Sequence, residues 1–175
     1  SAMPALLELR EEGVVKAIGA GTKDSNVMTR IIERYPIDIV LVPEHYSLLS
    51  QFALDGLLPL CERNNVSVVV GTPFNSGILA SDLDGPALFN YRRAPEEIMD
   101  RAKALKAICD RRGASLKAAA IQFVLAHPCV VSTIPGPSTI AQLEENAELS
   151  AADIPGDVWA EMKAEGLIAE HAPTP

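Results

Sequence analysis

The sequence predicts an α/β domain built on a parallel sheet, and three observations carry that expectation. Short apolar runs at residues 14–20, 37–42, 66–70 and 130–134 alternate with longer amphipathic stretches. These runs are rich in Val and Ile and are bounded by Gly or Pro, as strands of a sheet covered on both faces are. Parallel neighbours also need a helical crossover, which the intervening stretches supply.

The elements follow in order. Residues 5–12 set Leu6, Leu7 and Leu9 against a charged side and stop at Gly13, which reads as a surface helix. The later part of residues 14–20 is the first strand. Asp24 or Ser25 can cap a helix over residues 26–34, which Pro36 breaks. Residues 37–42 are nearly continuous in apolar character, as for a strand buried on both faces. A helix over residues 54–63 leads to the third strand at residues 66–70, followed by a polar loop through residues 81–93. Helices over residues 96–112 and 116–126, the second capped by Ser115, precede the fourth strand. Two more, over residues 139–149 and 155–165, finish the chain, the last anchored by Trp159, Met162 and Leu167. An open doubly wound sheet and a (β/α) barrel both satisfy this rhythm. Gly19 and Gly21 supply only the first two glycines of a dinucleotide fingerprint, so that motif decides little.

With 175 residues, 48% of them hydrophobic, the chain is long enough for a substantial core. A net charge of −8 without a basic cluster argues against nucleic acid or an anionic membrane as partner. Cys61, Cys109 and Cys129 are odd in number and widely spaced, which speaks against a disulfide framework or a metal site and for a reducing compartment. No apolar run approaches the roughly 20 residues of a membrane span. Together these features read as a cytoplasmic protein.

In either architecture ligands lie at the carboxyl ends of the strands. Residues 71–77 combine Gly71, Asn75, Ser76 and Gly77, so that backbone N–H groups and short polar side chains can approach a diphosphate. The end of the fourth strand runs through Gly136 to Ser138 and Thr139 at a helix start, where free N–H groups and the helix dipole favour an anion. Residues 133–146 hold no Lys or Arg. Gln142 and Asn146, four apart, share a helix face and can read one ligand together, whereas Glu144, Glu145 and Glu148 read as a solvated face. Tyr46 offers a flat ring for stacking. His45 and His127 read as structural, and His171 falls in a mobile tail.

Ile134, Pro135 and Gly136 followed by residues 142–146, with residues 46–49 and 71–79, resemble the C-terminal half of the aldo-keto reductases. The phrasing of residues 69–79 and 120–128 is similar to a bacterial branch holding L-fucose and D-threo-aldose 1-dehydrogenases and pyridoxal 4-dehydrogenases. The resemblance implies a (β/α)8 TIM barrel, of which this chain supplies about the second half: four β/α units plus the C-terminal helices. It further implies NAD(P)-dependent hydride transfer between a nicotinamide and a sugar hemiacetal or a small aldehyde or alcohol. The family's catalytic Asp, Tyr, Lys and His have no counterparts here: none of Tyr35, Tyr46 and Tyr91 has an Asp five residues before it. By that resemblance no catalytic residue lies in this chain, and a missing N-terminal half barrel is expected as partner.

Carried over by position, the resemblance assigns the cofactor side. Thr22 and Pro43 stand where the family has an Asn and a Gln on the carboxamide, and Tyr46 stands near the ring that stacks on nicotinamide. Thr72, Pro73, Phe74, Asn75 and Ser76 match the segment along the pyrophosphate. Gly136 and Ser138 follow the fourth strand, and Gln142 with Asn146 match residues touching adenosine. Pro137 and Ser138 replace the Lys or Arg of NADP-preferring relatives, which implies NAD, with NADP as the alternate. A non-catalytic half barrel that only binds cofactor, or assembles with a partner half, is the rival expectation.

Overall fold

A computed structural model describes residues 2–175. Helix α1 (Ala2–Glu11) buries none of its residues and ends at Gly13, whose φ of +75° is the left-handed stop expected there. Arg10, in its last turn, donates to the Pro36 carbonyl and to the Asp38 carboxylate, each at 2.8 Å. Asp38 also accepts the Ile18 N–H, so one side chain ties α1 to the strands beyond it.

The Ile18 N–H, and after it Arg10, hold the Asp38 carboxyl below its usual 3.8. A depressed folded value means that this group stabilises the fold above about pH 4 and that the contribution is lost as pH falls through the folded value. Asp38→Asn is therefore expected to lower the melting temperature at neutral pH and to flatten its fall between about pH 5 and pH 2. Thermal melts of both proteins across that range check this.

Strands β1 (Gly19–Gly21), β2 (Ile39–Pro43), β3 (Ser67–Gly71) and β6 (Val130–Ile134) form one parallel sheet in the order β1-β2-β3-β6. Gly19 lies so near β2 that an added Cβ would meet the Ile39 carbonyl oxygen at 2.3 Å, so only glycine allows this spacing. Val40, Val68 and Val130 sit in one register row and Val42 and Val70 in the next, all buried. Between them Ile39 and Val69 are half-buried and Leu41 is exposed. The sheet thus has one core face and one open face, where the run at residues 37–42 had suggested two covered ones. Uninterrupted valines hide an alternation that burial alone reveals.

Helix α2 (Ser25–Arg34) is capped by Asp24, which accepts the Asn26 and Val27 N–H groups, and buries Met28 and Ile32 four residues apart. Helix α3 (Leu57–Arg63) starts after a series of turns at residues 52–56, later than the apolar pattern suggested. The long α4 (Glu96–Arg111) buries Ala102, Leu105, Ile108 and Cys109. Helix α5 (Leu116–Leu125), capped by Ser115, is the central one, with residues 118–124 buried in succession. Helices α6 (Ile140–Ser150) and α7 (Gly156–Ala164) complete the set, and Trp159 and Met162 of α7 enter the core. The tail, expected to be mobile, packs on the fold: Ile168 and Ala172 are buried, Ala169 donates to the Gln51 side chain, and His171 lies 3.1 Å from Asp55. Within the expected polar loop, β4 (Leu88–Phe89) and β5 (Arg92–Arg93) pair antiparallel across Asn90 and Tyr91, both at positive φ as a tight hairpin turn requires.

Candidate active site cleft

A cleft of about 670 Å³ opens where β3 and β6 end. Its first wall is the segment after β3, where Thr72, Asn75 and Ser76 have φ of +58°, +47° and +61° and Gly77 has +96°. Side chains other than glycine hold such angles only where the surroundings over-determine them. Here they do. Glu44 donates its N–H to Thr72 Oγ1 at 2.9 Å, Ser47 donates its hydroxyl to the buried Asn75 Oδ1, and Tyr91 of the hairpin turn donates its N–H to Ser76 Oγ at 2.9 Å.

The second wall runs from Ile134 through Gly136, at φ +68°, to the start of α6. This helix start is largely closed on itself. Thr139 Oγ1 accepts the Gln142 N–H at 3.2 Å, and Gln142 Oε1 accepts the Ser138 N–H at 2.7 Å. The free amides that the sequence suggested for an anion are thus partly used within the turn. Asn146 is different: only 6% exposed, it lines the cleft and its Oδ1 has no hydrogen-bond partner. A buried carbonyl oxygen left without a partner costs the fold free energy.

Seven residues assigned from sequence therefore meet around one cavity: Thr72, Phe74, Ser76, Gly136, Ser138, Gln142 and Asn146. Four do not line it. Tyr46 is wholly buried, its ring 5.2 Å from that of Phe123 and edge-on to His127, so it has no face for a ligand, and burial pushes its phenol upward. Pro73 and Asn75 are buried behind the wall they support. Thr22 lies away from the cleft lining, its hydroxyl accepting the Asp24 N–H at 3.1 Å.

Sequence reasoning missed Lys117. Its ammonium reaches the cleft from the first turn of α5, lies 2.5 Å from a Glu145 oxygen and 5.7 Å from the centre of the Phe74 ring. The signal was available: Lys117 is the sole charge in a helix whose one other polar side chain is Gln122. Tyr91 also lines the cleft, and Lys23, held by Glu44 at 2.5 Å, sits 5.1 Å from the centre of its ring. Away from the cleft, burial raises the Cys61 thiol to about 11 and the Cys129 thiol to about 12, and lowers His127. Among the described residues no cluster of three His, Cys, Asp or Glu is placed to hold a metal ion.

The Aldo/keto reductase family profile matches residues 1–165. A D-threo-aldose 1-dehydrogenase of a Pseudomonas species is 42% identical over 176 residues, covering all of this chain and 52% of that protein. A pyridoxal 4-dehydrogenase of Microbacterium luteolum is 37% identical, covering 94% of this chain and 48% of its own length. Among solved structures, the holo form of an aldo-keto reductase from Bacillus halodurans superposes with a TM-score of 0.74 at 26% identity, over 97% of this chain and 58% of that one. The chain spans about half the length of the curated relatives it matches.

Proposed function

Because the chain belongs to the aldo/keto reductase family, we propose that it forms the dinucleotide-holding part of an NAD-dependent oxidoreductase that oxidises a sugar hemiacetal. The observation that carries this reading is the meeting of Thr72, Phe74, Ser76, Gly136, Ser138, Gln142 and Asn146 around one cleft at the carboxyl ends of β3 and β6. Ser138 and Gln142 flank the adenosine end, Thr72 and Ser76 line the diphosphate, and Phe74 floors the cleft. A bound nicotinamide would supply the hydride acceptor for the hemiacetal C–H, with the hydroxyl proton going to a base outside these residues as the lactone carbonyl forms.

In this reading the proton-transferring Asp, Tyr, Lys and His lie outside these 175 residues, on strands that complete a (β/α)8 barrel. The open sheet face supports that arrangement, since parallel sheets are covered on both faces and β1 and β6 each present an unpaired edge. The same face also suits the rival reading, a cofactor-binding half barrel that assembles with a partner half. An aldose is the first substrate to assay, given the 42% identity to an aldose dehydrogenase, and pyridoxal the second. Three free thiols fit a cytoplasmic, reducing setting, and no helix among the described residues is long and apolar enough to cross a membrane.

NAD is favoured over NADP because residues 133–146 carry no cation. Calorimetric titration of this chain is expected to show NAD binding more tightly than NADP. Ser138→Arg should reverse the order by raising NADP affinity roughly tenfold, through a charge-assisted clamp on the extra phosphate. Failure of the folded chain to bind either dinucleotide would defeat the cofactor reading. Turnover of an aldose by this chain alone would defeat the placing of the proton-transfer groups elsewhere.

A further inference from the structure

We propose that Lys117 and Glu145 form a charge gate that decides whether the cleft takes a hydroxyl or a phosphate at the 2′ position of the adenosine ribose; this rests on reading the cleft as the dinucleotide site. Among the residues that line the cleft, Lys117 is the one cation and Glu145 the one carboxylate, and they are paired at 2.5 Å. They come from different helices, α5 and α6, 28 residues apart. Glu145 also lies between Gln142 and Asn146 on α6, and both of these line the cleft.

The two partners differ in freedom. The Lys117 side chain is 17% exposed, its ammonium 5.7 Å from the centre of the Phe74 ring and its backbone in a turn capped by Ser115. The Glu145 side chain is 53% exposed and tethered through one oxygen, Oε2. Lys117 is therefore the fixed charge and Glu145 the adjustable one. Paired, they sum to zero, so a 2′-phosphate finds no net positive charge and meets a carboxylate that repels it. A ribose hydroxyl is neutral and can donate to the remaining Glu145 oxygen.

Neutralising Glu145 reverses the balance. Glu145→Gln keeps the shape of the side chain and leaves Lys117 as an unpaired cation beside the adenosine end, a setting that favours phosphate. The residues after β6, where a cation was sought and not found, are then only half of the specificity determinant. The other half is held from α5 in a masked form.

The test uses two probes that differ only in the 2′ group, 5′-AMP and adenosine 2′,5′-bisphosphate, titrated calorimetrically against folded protein, with melting curves for every variant. The unaltered chain is expected to prefer 5′-AMP. Glu145→Gln should shift the affinity ratio toward the bisphosphate at least tenfold, and the gain should shrink as salt rises. Adding Lys117→Met to Glu145→Gln should remove the gain. An unchanged ratio in Glu145→Gln, with 5′-AMP still bound, overturns the gate and leaves the cofactor reading standing. A gain that survives in the double variant shows that another group receives the phosphate and also overturns it. If folded protein binds neither nucleotide, the cofactor reading falls and the gate falls with it.

Discussion

Phe123→Ala is expected to lower the stability of this chain by about 3–5 kcal/mol, the range for removing a fully buried ring from a core. Phe123 is 0% exposed and sits in the middle of α5. Its ring meets that of Tyr46 at 5.2 Å with a tilt of 37°, a pairing that adds about 0.5–1.5 kcal/mol beyond buried area. The site is poorly able to close over the loss. Its helix neighbours Ala119 and Ala120 are small and themselves fully buried, and Tyr46 is also met edge-on by His127. A cavity that cannot collapse places the cost toward the upper part of the range. Urea unfolding followed by the fluorescence of Trp159, itself 2% exposed, measures it as a lowered midpoint at unchanged slope. A loss below about 1 kcal/mol would mean that α5 is not the keystone of this core.

Asn146→Leu is expected to separate binding from stability. If Asn146 reads the nucleotide, the variant leaves a ligand donor unpaired in a buried setting, which costs about 1–3 kcal/mol, or roughly fivefold to 150-fold in NAD affinity. Folding should not suffer. The Asn146 oxygen is already without a partner, so an apolar side chain of similar size removes an unmet acceptor and leaves the melting temperature equal or higher. Parallel calorimetry with NAD and thermal melts decide the matter. A fall in both quantities assigns Asn146 to the fold, and an unchanged affinity removes it from the site.

Local chemistry was legible wherever a single residue or a short period dictates it. Asp24 and Ser115 cap the helices expected of them, Gly13 ends α1 in a left-handed turn, and the apolar runs at residues 66–70 and 130–134 became β3 and β6. The hairpin at residues 88–93 was not legible, because two-residue strands give no alternation to read. Tyr46 shows a different limit. Its position beside a strand end suggested a stacking surface, yet side-chain direction is set by which face of the backbone meets α5, and that packing turned the ring inward.

By itself the sequence determined the parallel α/β order, the caps and stops of the helices, the family, and seven of the residues that line one cleft. These depend on residue type, spacing and local backbone preference, all of which are written along the chain. Only the tertiary structure decided which polar groups are free and which are already used. It left the Asn146 oxygen without a partner, turned Gln142 back onto Ser138, and set Lys117 against Glu145 across two helices. Hydrogen bonding and charge pairing are settled by distances of a few ångströms between residues far apart in sequence, and no periodicity in the chain encodes those distances.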